Sequence, residues 1–260
     1  MPFSTIRLTR QDGVARVTLA RPDVRNAFNA EVIAELHAVF DELGADATVV
    51  AVVLAGEGKV FCGGADINWM RASLDLSRER NVADAQAMSD MFRAIDRCPK
   101  PTIARIQGAA LGGGSGLAAV CDVVVASYDA LFGFTETKLG IVPAVISPFV
   151  LAKIGTGHAR ALFLTGERFD ATRAKAIGLA HEVVAHDGLD IAIDRILAEL
   201  RTAGPDAVAV AKRLIADVGA LSYEDSRDHT AHAIAAQRTG AEGQEGLRAF
   251  LERRPAGWAK

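Results

Sequence analysis

Thiols are scarce in this 260-residue chain: Cys62, Cys98 and Cys121 are its three cysteines. Their number is odd and their spacing matches no metal-ligand pattern, which excludes a secreted disulfide framework and a zinc module. No stretch reaches the length of a membrane span without a charge or glycine break. Met1 to Asp12 lacks both the apolar core of a secretory leader and the Arg-rich amphipathic pattern of a transit peptide, so the expected compartment is the cytoplasm. Charge of one sign is missing as well. Lys and Arg number 29 against 32 Asp and Glu, a net charge of −3 with the two signs well mixed, so no footprint for nucleic acid is expected. Low-complexity tracts and short repeats are absent.

Half of the residues are hydrophobic, enough for a full core. Val14 to Leu19 alternates apolar and polar residues after Gly13, as a half-buried strand does. Asn29 can cap a helix carrying Val32, Ile33, Leu36, Val39, Phe40 and Leu43 on one face. Val49 to Leu54 is a continuous apolar run, the mark of a strand covered on both sides. A helix from about Glu79 to Cys98 ends at Pro99 and Pro101. Thr102 to Ile106 reads as a strand, Gly112 to Val120 as a glycine-opened helix and Val123 to Ala126 as a buried strand. Strands interleaved with helices predict an α/β core over residues 1–195 with much parallel pairing. Four amphipathic segments, from Leu189, Val208, Tyr223 and Glu242 onward, give residues 196–260 a helical character.

Two glycine segments lie between strand and helix patterns: Phe61-Cys62-Gly63-Gly64-Ala65-Asp66-Ile67, and Gly108 to Leu117 with its run Gly112-Gly113-Gly114. Glycine lets backbone N–H groups approach a ligand, and a helix start adds unpaired donors and a favourable dipole. Two such turns facing each other can form an oxyanion hole; each alone can also be a plain tight turn. Other glycine-rich chemistries fail on the letters. No Gly-Lys-Ser or Gly-Lys-Thr occurs, which excludes the phosphate loop. The dinucleotide pattern and the nucleophile elbow both need a glycine where Leu117 stands, which leaves Ser115 a small helix residue.

A third segment, Phe132 to Pro143, places Glu136 among apolar and small residues. A carboxylate in such surroundings has a raised pKa suited to proton transfer near neutrality. The alternatives for Glu136 are a pair with Lys138 or a helix cap.

Together the three segments resemble the crotonase (enoyl-CoA hydratase/isomerase) superfamily, and the resemblance runs from Arg21-Pro22-Asp23-Val24-Arg25-Asn26-Ala27 to Phe250-Leu251-Glu252-Arg253-Arg254. It implies a spiral of ββα units with a helical C-terminal unit at subunit contacts, in a homotrimer or a dimer of trimers. By motif, Ala65 and Gly113 would supply the two N–H donors to a thioester oxygen, and Glu136 would be the acid/base. Ala27, Ala65, Asp66, Ile67, Asn68 and Gly113 would line the acyl-CoA site, with Arg25 facing the CoA phosphates or, alternatively, solvent. No metal and no separate cofactor is expected, because CoA arrives with the substrate.

The second glutamate of two-carboxylate hydratases is replaced here by Gly116, a gap shared with isomerases of the superfamily. Trp69-Met70 and the Pro143-Ala144-Val145-Ile146-Ser147-Pro148-Phe149 form resemble instead the bacterial hydratases of leucine and acyclic terpene catabolism. That implies a branched, carboxylated substrate such as 3-methylglutaconyl-CoA. Gly116, Trp69 and Val145 would shape the acyl pocket, Gly116 by vacating the volume of a side chain; core packing is the alternative for Trp69 and Met70. Arg71 and Lys138 are candidates for holding a distal carboxylate, and solvent-facing residues otherwise. An isomerase with one carboxylate and a non-catalytic binding protein are the rival functions.

Overall fold

The structure is a computed structural model that describes residues 3–219 and 221–259. It opens with a hairpin the pattern only half revealed, β1 (Ile6–Gln11) against β2 (Val14–Leu19). Asp12 and Gly13 both take positive φ between them, the conformation a two-residue hairpin turn requires. Next come α1 (Ala30–Ala45), β3 (Ala51–Gly56), α2 (Ile67–Ser73), α3 (Arg78–Arg97) and β4 (Thr102–Ile106). The middle of the chain adds β5 (Ala109–Leu111), α4 (Gly113–Val120), β6 (Val123–Ser127), β7 (Leu131–Gly133), α5 (Ser147–Thr165) and β8 (Arg168–Asp170). It continues through α6 (Ala171–Ala176), β9 (Glu182–Val184), α7 (Leu189–Thr202), α8 (Pro205–Val218), α9 (Tyr223–Thr239) and α10 (Ala241–Glu252).

Six strands form one sheet in the order β1-β2-β3-β4-β6-β9, parallel throughout except for the opening hairpin. Every residue of β3 is buried, as its unbroken apolar run requires of a strand covered on both faces. Its alternate residues serve two cores. Val52 and Leu54 pack with Leu36, Phe40, Phe92 and Leu117 on one side. Ala51 and Val53 pack with Ile103, Val125 and the α7 residues Leu189, Ile193 and Leu197 on the other. A second, three-stranded sheet, β5-β7-β8, carries the glycine run and the approach to Glu136.

The helices follow their caps. The Asn29 side chain accepts a hydrogen bond from Val32 N at 2.9 Å, and the six expected apolar residues of α1 are its buried ones. Ser77 caps α3, which ends at Arg97, two residues before Pro99. The expected core boundary at 195/196 falls inside α7, whose apolar face lies on the sheet. Helices α8 and α9 have no buried residue, and α10 buries Ala249 alone. An ion pair from Lys212 Nζ to Asp122 Oδ2, at 2.7 Å, ties α8 to the core.

Candidate active site

The two glycine segments lie side by side. Phe61 N donates to Gln107 O, Cys62 N to Ala109 O and Leu111 N to Cys62 O, each at 3.0 Å. Gly64 takes φ of +101°, and a Cβ there would fall 3.1 Å from Leu111 O, so the approach demands glycine. Phe28 then brackets Ala65: Phe28 N donates to Gly64 O and Phe28 O accepts from Asp66 N, both at 2.8 Å. The Ala65 N–H takes part in none of these bonds, and Ala65 itself is exposed. Gly113 is the first residue of α4, where a helix leaves its N–H groups unpaired.

Glu136 meets the second turn. Gly112 N donates to Gly133 O at 2.8 Å, joining the start of α4 to the strand that leads to Glu136. Gly112 has φ of +51°, and a Cβ there would stand 3.2 Å from Glu136 Oε1. Glu136 opens a short 3-10 turn, Glu136–Leu139. Its Oε2 is buried and has no hydrogen-bond partner. Burial pushes the carboxyl pKa up, against a smaller opposing contribution from its own backbone amide. The expected alternative pair with Lys138 is not seen: Glu136 forms no ion pair among the described residues, and Lys138 is exposed with its stem against Gly166. A partly buried carboxylate with one buried, unpartnered oxygen, beside the glycine turn that opens α4, is equipped to move a proton next to a developing oxyanion.

Comparison with known proteins places the chain in a family. The profile of the family described as enoyl-CoA hydratase/isomerase matches residues 9–260. The chain belongs to this family. It is 31% identical over 260 residues to a short-chain-enoyl-CoA hydratase of Clostridium acetobutylicum, covering 98% of this chain and 97% of that protein. A crystal structure of an enoyl-CoA hydratase from Shewanella pealeana superposes with a TM-score of 0.95 at 37% identity, covering 98% and 96% of the two chains. The structure of AtuE from Pseudomonas aeruginosa gives 0.96 at 38% identity, covering 99% and 100%. The fold is thus that of the crotonase superfamily, and the protein is an enzyme of that group.

The other candidate residues of this crotonase divide into those at the turns and those outside. Ala27 is buried beside the first turn, and its carbonyl accepts from Arg21 Nη1 at 2.6 Å. Asp66, expected among the residues that line the acyl-CoA site, turns its side chain inward. Its carboxylate accepts from Arg21 Nη2 at 2.8 Å and from Asn68 N at 2.8 Å, capping α2. Burial alone would raise its pKa, but the Arg21 hydrogen bond and the Asn68 and Trp69 amides outweigh that and hold it below the carboxylate range. Arg25 is exposed, with its stem against Gly63. Ile67 and Asn68 are exposed on the first turn of α2, and Arg71 is exposed with Nη1 donating to Asn68 Oδ1 at 3.3 Å.

Gly116 opens no space. A Cβ there would fall 2.4 Å from Ile146 Cγ2 and 3.0 Å from Phe92 Cζ, so these two side chains fill the volume a glutamate would need. Trp69 and Val145 are partly buried against the same core. Trp69 also walls a cleft of about 180 Å³ with Ile33 and His37 of α1 and Asp84 of α3. Ser115 is a structural pin: its hydroxyl donates to Ala110 O at 2.6 Å and accepts from Gly133 N at 3.2 Å. Cys62 adjoins the first turn, but burial pushes its thiol up to about 12, which leaves it protonated and not nucleophilic. Among the described residues no group of three or more His, Cys, Asp or Glu could hold a metal ion. No described helix is long and apolar enough to cross a membrane. Sequence reasoning missed Arg21, Asn26 and Phe28. Asn26, at 1% exposure with Nδ2 donating to Glu57 O and Val60 O, had a signal in its place beside Ala27 within the resembling segment.

Proposed function

We propose that the protein is an enoyl-CoA hydratase that reversibly adds water across a 2-enoyl-CoA. The observation that carries this reading is the buried, unpartnered Oε2 of Glu136, set against the glycine turn that bears Gly113. In the reaction the thioester oxygen accepts hydrogen bonds from Ala65 N–H and Gly113 N–H. Glu136 as carboxylate takes a proton from water while the hydroxyl oxygen bonds to the β-carbon. The electron pair of the double bond moves toward the thioester, giving an enolate held by the two donors. Glu136, now protonated, returns its proton to the α-carbon and is regenerated. No metal or separate cofactor enters these steps. Reversal gives dehydration. The test is incubation with crotonyl-CoA and with 3-methylglutaconyl-CoA: formation of the 3-hydroxyacyl thioester from either supports the reading, and both thioesters unchanged rejects it.

For the acyl group, the sequence form from Pro143 to Phe149 and the neighbouring Trp69 support a branched, carboxylated chain such as 3-methylglutaconyl-CoA, with a place in leucine or acyclic terpene catabolism. The filled space over Gly116 withdraws one support for a branch at that point. A higher kcat/KM for crotonyl-CoA than for 3-methylglutaconyl-CoA would reject this finer reading and leave the hydratase intact. The glycine at 116, in place of a second carboxylate, favours isomerisation as the second reading, because a lone carboxylate suffices to move a proton between carbons. A 3-enoyl-CoA converted to its 2-enoyl isomer faster than water is added would establish it. We also infer a cytoplasmic homotrimer or dimer of trimers. Exposed Ile215, Phe250 and Leu251 on α8 and α10 support the assembly, and sedimentation tests it.

A further inference from the structure

We propose that Phe28 is the positioning residue that sets both halves of the oxyanion hole at once. Its backbone and its ring act on different donors. Through Phe28 N to Gly64 O and Asp66 N to Phe28 O, the backbone grips the peptide units on either side of Ala65 and fixes the direction of the Ala65 N–H. The ring runs to the other turn. A Cβ built on Gly113 would fall 2.6 Å from Phe28 Cε2 and 2.8 Å from Cδ2, so the ring edge lies directly on the Gly113 backbone. Phe28 is fully buried, and Phe92 meets its ring edge-on at 6.1 Å between centroids. The ring therefore has little freedom to turn away.

One side chain between two donors works as a spacer. The two N–H groups must converge on one oxygen, and a displacement of about 1 Å at such a site costs up to about 10²-fold in rate. Removing ring atoms lets the start of α4 settle toward Ala65, while the backbone grip on Ala65 itself survives. The expected result is two donors that no longer converge, in a protein that still folds and still binds CoA.

This role rests on Ala65 and Gly113 forming the proposed hole, and the experiment separates the two. A 2,4-dienoyl-CoA thioester is bound to the purified enzyme and its absorption recorded, because polarisation of the carbonyl by two donors shifts the band to longer wavelength. Wild type should give the red shift. Phe28→Leu should give a smaller one, with kcat for crotonyl-CoA reduced by up to about 10²-fold and KM little changed. Phe40→Leu, a fully buried truncation in the middle of α1 whose backbone makes no bond to either turn, should lose comparable thermal stability and keep the full shift. If Phe28→Leu does not fold, Phe28→Met, closer in length, replaces it in the comparison. A full red shift in the Phe28 variant, or a loss in Phe40→Leu that tracks its melting temperature, overturns the positioning role. No shift in wild type overturns the oxyanion hole itself.

Discussion

The glycine turns and the outer helix α2, which directly follows the first of them, differ in almost every physical respect. Around Gly64 and Gly112 the backbone is fixed by hydrogen bonds to Phe28, Cys62 and Gly133, and each added Cβ would meet a neighbour. One turn further on, Ile67 is 72% exposed, Leu74 is 82% exposed and Arg71 reaches only Asn68. The groups suited to the chemistry thus sit on rigid backbone, while Arg71, a candidate for holding a distal carboxylate, sits on a lightly held surface. Generic thioester chemistry can be kept constant while an exposed helix varies the substrate.

Substitutions at Gly113 should break that contrast most severely. Gly113→Ala keeps the N–H but pushes a methyl into the Phe28 ring, whereas Gly113→Pro places a Cβ at the same point, adds the rest of its ring and deletes the donor. Proline is tolerated at a first helical position, so with folding checked by circular dichroism the pair reads mainly the lost hydrogen bond. The proline variant should turn over crotonyl-CoA more slowly than the alanine variant by about 3 kcal/mol in activation free energy. Equal rates in two folded variants would remove Gly113 from the hole.

Arg21→Met should have the next largest effect. It leaves the Asp66 carboxylate inside without its cation, and urea unfolding should report a loss of about 2 kcal/mol near neutrality. Because the folded Asp66 pKa is lowered, its contribution is present above the ordinary carboxylate pKa and is lost as pH falls through the lowered value. The difference between Arg21→Met and wild type should shrink in that acid range. A pH-independent difference would assign the loss to packing of the Arg21 stem.

Glu136 has the opposite sign. Its folded pKa is raised, so its contribution is most favourable below the ordinary carboxylate pKa and is lost as pH rises through the folded value. Glu136→Gln should therefore melt higher than wild type near neutrality and lose that advantage in acid. A lower melting temperature at neutral pH would show that the charged carboxylate is stabilised by partners. The smallest effect belongs to the outer helix: Arg71→Met should change stability by less than about 0.5 kcal/mol. If it selectively lowers kcat/KM for a carboxylated enoyl-CoA, α2 takes part in substrate choice; equal effects on crotonyl-CoA would exclude that.

Where a pattern is local, it was legible. The six buried residues of α1 follow from period and cap, and the buried β3 follows from its apolar run. The three-residue strands β5, β7 and β8 carry too few residues to show a period and exist through pairing with one another. The place of Asp66 depends on Arg21, 45 residues earlier, and the packing over Gly116 depends on Phe92 and Ile146 from two other segments. A missing side chain in sequence says nothing of what fills the gap. For the same reason Phe28 gave no sign: its letter is an ordinary core phenylalanine, and only the fold places it between Ala65 and Gly113.

The most direct measurement is crotonyl-CoA turnover by wild type and by Glu136→Gln in the same assay, with CoA binding and circular dichroism recorded for both. Wild type should form 3-hydroxybutyryl-CoA, and the variant should bind and fold normally while kcat falls by about 10²-fold or more. Near-normal kcat in a folded Glu136→Gln variant would contradict the assignment of the buried carboxylate as the acid/base.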